Sequence, residues 1–142
     1  MTRINVIYWS QTGNTEAMAG AVAKGIEAAG KEAVVRNVAD VSAADLAGEE
    51  AIALGCPAMG AEVLEEYEME PFMEELTPLL NGKKVALFGS YGWGNGEWMR
   101  DWENRVREAG AVVVGGEGVI CLEMPDDEAL VACERIGKEL GK

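Results

Sequence analysis

Ser10-Gln11-Thr12-Gly13-Asn14-Thr15 gathers hydroxyl and amide groups around one glycine, directly after an apolar run and directly before a segment of helical period. Such a run suits an anion. Free N–H groups at a helix start carry partial positive charge, and Ser10, Thr12, Asn14 and Thr15 add side-chain donors. No Lys or Arg stands in the loop. A nucleoside triphosphate site needs the lysine of G-x-x-x-x-G-K-[ST], a dinucleotide site needs the glycines of G-x-G-x-x-G, and both patterns are missing. A lone monophosphate can be held by neutral dipoles, so it is the anion this loop fits. The plainer use of Thr12 or Asn14 is to cap the helix that follows.

Two further glycine-flanked segments hold large apolar side chains: Gly55-Cys56-Pro57-Ala58-Met59-Gly60 and Phe88-Gly89-Ser90-Tyr91-Gly92-Trp93-Gly94. Met59 and Trp93 would lie exposed to water in such loops unless a ligand covered them. The alternative for Trp93 is to fold over a neighbouring helix as an outlying core residue. Trp98 and Trp102, spaced by four, read as packing residues of the next helix. Cys56 has no base beside it in the sequence and reads as a small packing residue, not a nucleophile.

These loops need a scaffold that brings them to one edge. Apolar runs rich in Ile and Val alternate with segments of helical period, the pattern of β-α-β units and a parallel sheet buried on both faces. Strands are expected at Arg3 to Tyr8, Ala33 to Val38, Ala51 to Gly55, Lys84 to Gly89 and Val112 to Cys121, the last broken or bulged at Gly115-Gly116. Helices are expected at Asn14 to Ala29, Ala43 to Leu46, Pro71 to Leu80, Glu97 to Ala109 and Asp127 to Leu140. Five strands with right-handed crossovers predict the order 2-1-3-4-5, with ligands at the carboxyl ends of the strands. The loops after strands one, three, four and five meet there.

Composition narrows the function. The chain has 142 residues, 49% of them hydrophobic, which predicts one domain over residues 1–142 with a substantial core. Its 25 acidic and 12 basic residues give a formal charge of −13, which repels nucleic acid and anionic lipid and points to basic protein partners. Cys56, Cys121 and Cys133 are far apart, and the chain has no histidine, so neither a zinc site nor a disulfide framework is expected. No apolar run approaches the ~20 residues of a membrane span, and MTRINVIYW lacks the parts of a signal peptide. The expectation is a cytoplasmic monomer without metal.

Ser10 to Thr15 resembles the T/S-x-T-G-N-T signature of flavodoxins, and the Met59 and Trp93 segments resemble those of the short-chain, clostridial-type members; the likeness runs over essentially the whole chain. The resemblance implies a three-layer α/β sandwich and one FMN, its 5′-phosphate enclosed by Ser10 to Thr15. It also implies Trp93 on one face of the isoalloxazine, Met59 with Pro57 and Ala58 toward the other, Glu62 accepting from flavin N3–H, backbone N–H groups near Gly92 and Trp93 reaching O2 and N1, and Ser90, beside Tyr91, on the ribityl chain. The Gly60 carbonyl would accept from protonated N5 of the semiquinone, which glycine permits by reaching positive φ. Two positions depart from the family. Ala61 stands where relatives carry Asp or Gly, and Leu122 where they often place Asn near the cofactor.

The function so implied is low-potential one-electron transfer, cycling mainly between semiquinone and hydroquinone, in place of ferredoxin, to reductases and oxidoreductases with basic docking surfaces. Glu62, Glu65, Glu66, Glu68, Glu70, Glu74 and Glu75 would add repulsion against the anionic hydroquinone, while such a run also reads as a solvated helix face. Glu123, Asp126, Asp127 and Glu128 would extend the negative rim. A phosphoacceptor receiver shares the strand order but needs acids after strand one and an Asp ending strand three; this chain has Trp9-Ser10 and Gly55-Cys56. The competing enzyme is an FMN-dependent NAD(P)H or quinone reductase, which needs a substrate pocket over a flavin that Trp93 would cover here.

Overall fold

A computed structural model describes residues 3–60 and 62–142 of the chain. The elements run β1 (Arg3–Tyr8), α1 (Asn14–Ala28), β2 (Glu32–Asn37), β3 (Ala51–Gly55), α2 (Met69–Leu76), β4 (Lys84–Tyr91), α3 (Glu97–Glu108), β5 (Val112–Val113), β6 (Val119–Leu122) and α4 (Asp127–Leu140), with short 3-10 turns at Val38–Asp40, Ala43–Leu46 and Thr77–Leu79. The sheet order is β2-β1-β3-β4-β5, and β6 also pairs with β4. Every pairing is parallel. The strand order is therefore 2-1-3-4-5, with the fifth strand in two pieces.

The two faces of the sheet bury separate cores. On one, Met18, Val22 and Ile26 of α1 and Cys133, Ile136 and Leu140 of α4 cover Ile4, Val6, Ala53 and Phe88. On the other, Met69, Phe72 and Met73 of α2 with Trp98, Trp102 and Val106 of α3 cover Ile7, Ile52, Leu54 and Leu87. Strands buried on both sides carry unbroken apolar runs for this reason. α1 and α4 touch backbone to backbone, since a Cβ on Gly25 would stand 1.9 Å from the Glu134 carbonyl oxygen.

Several boundaries differ from the sequence expectation, four of them for a visible reason. β2 ends at Asn37, whose Oδ1 accepts from the Ala39 N–H at 2.9 Å, so Val38 opens a 3-10 turn instead of closing the strand. α2 begins at Met69 and not Pro71 because Glu65 caps it: Oε1 accepts from the Tyr67 N–H at 2.7 Å, and Oε2 from the Glu68 and Met69 N–H groups at 2.8 and 3.0 Å. The helix stops at Leu76, and Pro78 lies in the 3-10 turn beyond it. β4 runs on through Ser90 and Tyr91, which pair with Cys121 and Leu122. The break between β5 and β6 falls where Gly115 and Gly116 take φ of +79° and +86°, and buried Glu103 pins the notch by accepting from the Gly118 N–H.

Candidate functional site

At the carboxyl ends of β1, β3 and β4 a cleft of about 220 Å³ is lined by Ser10, Gln11, Thr12, Asn14, Thr15, Pro57, Ala58, Met59, Ser90, Tyr91, Gly92 and Glu123. Four separate sequence segments, those at the ends of β1, β3, β4 and β6, meet here because their strands are neighbours. The lining carries no cation.

The first loop is shaped by Gly13, whose φ of +93° turns the chain into α1. Neither Thr12 nor Asn14 caps that helix, so the plainer use of those residues does not hold. Ser10 does the capping, its Oγ accepting from the Gly13 and Glu16 N–H groups at 3.1 and 3.3 Å. Its hydroxyl proton stays available. Among the described residues the N–H groups of Gln11, Thr12, Asn14 and Thr15 find no acceptor. Clustered N–H groups of this kind, in the first turn and just before it, form an anion nest. Behind them Thr15 Oγ1 lies 3.2 Å from Ser90 Oγ, both side chains buried, which ties α1 to the end of β4.

The second loop is closed on itself. Met59 and Val63 exchange two backbone hydrogen bonds, 2.9 and 3.0 Å, across Gly60 and Glu62. Gly60 has φ of +49° and Glu62 +56°. Ala61 lies outside the described residues. The Ala58 N–H donates to the Ser90 carbonyl at 3.0 Å, so this loop is hung from the third. Met59 lines the cleft; Gly60 is exposed at the loop tip.

Glu62 stands apart from the cleft lining and borders the neighbouring depression with Trp98, Trp102 and Arg105. Its Oε1 accepts from the Gly96 and Glu97 N–H groups at 3.2 and 3.0 Å, the first turn of α3. Trp93 is 65% exposed, so it does not fold over a helix as core. Trp98 and Trp102 are buried packing residues, as their spacing predicts, and Trp98 Nε1 donates to the Cys56 carbonyl at 3.0 Å. Leu122, at the end of β6, is exposed and outside the lining. Its neighbour Glu123 is the lining residue that sequence reasoning placed only in the outer rim; a left-handed φ of +57° and a bond from its N–H to the Tyr91 carbonyl turn it inward over the third loop.

The acid run is not a uniform solvated face. Glu65 is buried and used by α2, Glu70 forms a bidentate pair with Arg105 at 2.8 and 2.7 Å, and Glu68 accepts from Trp9 Nε1 at 3.2 Å. The remaining Glu66, Glu74 and Glu75 are exposed. Cys56 is fully buried beside the cleft, and desolvation pushes its thiol up to about 12, which fits a packing residue. Among the described residues no group of acids and cysteines could hold a metal ion, and no helix is long and apolar enough to cross a membrane.

The family model described as Flavodoxin matches residues 6–137. A flavodoxin of Clostridium beijerinckii is 51% identical over 137 residues, spanning 96% of this chain and 98% of its own. One of Megasphaera elsdenii is 46% identical over 139 residues, spanning 98% of each. The solution structure of two-electron reduced Megasphaera elsdenii flavodoxin matches with a TM-score of 0.87 at 45% identity, over 97% of this chain and 98% of that one. A flavodoxin structure from the domain Archaea matches at 0.86 with 34% identity, over 99% and 96%.

Proposed function

The chain belongs to the flavodoxin family, an FMN-binding electron carrier in its fold and relatives, and on that premise we propose how its own residues hold the cofactor and serve the transfer. When bound, FMN supplies a ring that takes up and returns electrons one at a time. The observation that carries the assignment of its phosphate is the first loop: four N–H groups without acceptors among the described residues, flanked by Ser10, Thr12 and Asn14 hydroxyl and amide donors, and no cation in the lining. A dianionic phosphate satisfies those donors, which otherwise face the cleft unpaired.

The other residues follow from their places. Ser90 and Tyr91, at the end of β4, border the middle of the cleft and suit the ribityl chain. Met59 with Pro57 and Ala58 gives one apolar wall, and exposed Trp93 is free to cover the opposite face of the ring. Glu62 accepts from the ring's N3–H, and the N–H groups of Gly92 and Trp93 donate to its O2 side. The carbonyl of exposed Gly60 would accept a hydrogen bond from N5 of the ring when that atom carries a proton. Leu122 offers no hydrogen bond, and Glu123 stands in the lining in its place.

The chain works as a carrier and not as an enzyme, as a cytoplasmic monomer with one FMN-binding unit over residues 1–142. Its partners are redox enzymes with basic docking surfaces, drawn by the charge of −13. Mixing the FMN-loaded protein with NADPH separates this from the reductase reading. A carrier stays oxidised on that mixing alone and takes one electron at a time in a potentiometric titration; prompt two-electron reduction by NADPH would identify an enzyme.

A further inference from the structure

Glu62 is held in an unusual way for a surface carboxylate. Its Oε1 accepts from both the Gly96 and Glu97 N–H groups, whereas Oε2 has no partner among the described residues. Gly94, with φ of +85°, lies against the same carboxylate: a Cβ there would stand 2.6 Å from Cδ, 2.8 Å from Oε1 and 2.9 Å from Oε2. The chain thus closes on Glu62 from two sides, the backbone of Gly94 on one and the positive end of α3 on the other. Glu62's own φ of +56° is the strained conformation that such a clamp must maintain.

We infer that Gly94 and the first-turn amides of α3 position Glu62, anchoring one carboxylate oxygen to the helix so that the other is presented to an N–H donor of FMN. This rests on the FMN reading above and adds to it a positioning role for Gly94, exerted through Glu62. A clamped carboxylate loses no side-chain freedom when it accepts the ring, which raises selectivity for a ligand bearing that N–H. The clamp also links α3 to the site, because a donor on Oε2 restrains the carboxylate whose other oxygen holds the Gly96 and Glu97 N–H groups.

Alanine at Gly94 tests this cleanly, since what blocks its Cβ is the end of a flexible side chain. Glu62 yields and the backbone stays, with the strain of a left-handed alanine confined to the loop. FMN and 3-methyl-FMN, which lacks the N3 proton, are titrated into wild type and Gly94→Ala. Wild type is expected to prefer FMN by about tenfold, and the variant to bind both equally, an effect that general loosening of the loop does not produce. A second arm needs no variant: amide exchange at Gly96 and Glu97 in wild type slows on adding FMN and less on adding 3-methyl-FMN. Wild-type preference retained in Gly94→Ala, no preference in wild type, or identical exchange with the two ligands overturns the inference. Absence of FMN binding to wild type would overturn the FMN reading itself.

Discussion

Thr15 Oγ1 and Ser90 Oγ, 75 residues apart in the chain, stand 3.2 Å from each other in the buried floor of the cleft. One hydroxyl belongs to the first turn of α1 and the other to the end of β4, so this contact fixes the anion nest relative to the third loop. Replacing Thr15 with Val removes one partner and leaves the Ser90 hydroxyl buried and unpaired. Such a loss costs about 1–3 kcal/mol. FMN affinity of Thr15→Val should fall by roughly tenfold or more, as read by fluorescence titration, and that of Ser90→Ala, which leaves the Thr15 hydroxyl equally buried and unpaired, should fall by a similar factor.

Trp93 is 65% exposed and follows the lining residues Tyr91 and Gly92, which leaves its indole free to cover a ring in the cleft. Stacking beyond area burial contributes about 0.5–1.5 kcal/mol. Trp93→Ala should therefore weaken FMN while leaving the thermal midpoint of the free chain unchanged. Trp102→Ala should do the reverse, because Trp102 is 2% exposed and belongs to the core beneath α3.

Glu65 tests whether the acid run is electrostatic or structural. Its carboxylate accepts from three backbone N–H groups and starts α2. Glu65→Ala should lose about 2–3 kcal/mol of stability in urea unfolding, whereas Glu74→Ala and Glu75→Ala, both exposed, should change it little.

The three cysteines should be inert in the native protein. Burial pushes Cys56 and Cys133 up to about 12 and Cys121 up to about 11. Only the thiolate is alkylated, and at pH 8 it is roughly one part in a thousand or less of each thiol. Iodoacetamide should leave all three unmodified until urea is added, and rates in the folded state should climb with pH well beyond 9. Mass spectrometry of the native protein after labelling checks this.

Much of the fold was legible because doubly buried strands write unbroken Ile and Val runs, and the alternation with helical segments leaves few orders open. The loops of the site followed, since β1, β3 and β4 are neighbours in that order. What sequence could not supply was pairing across the chain. β4 extends through Ser90 and Tyr91 only because β6 lies beside it, and nothing local to Gly89 marks that register. In the same way, a run of glutamates does not say which one turns inward to cap α2; Glu65 is told from Glu66 by burial alone. The partners of Glu62 are 34 and 35 residues away on α3, and no spacing rule reaches that far. Glu123 entered the lining through a left-handed φ that Glu rarely adopts, for which the sequence holds no signal.

In the proposed site a phosphate is held by uncharged donors in a chain of charge −13. A site built on Lys or Arg loses affinity as salt rises, because screening weakens attraction; here the long-range field that salt screens is the repulsion of a chain of charge −13. Calorimetric titration of FMN and of riboflavin into the cofactor-free protein at low and high ionic strength is the direct measurement. The expected result is one FMN per chain, bound far more tightly than riboflavin, with affinity steady or rising with salt. No heat with FMN, or affinity equal to that for riboflavin, would contradict it.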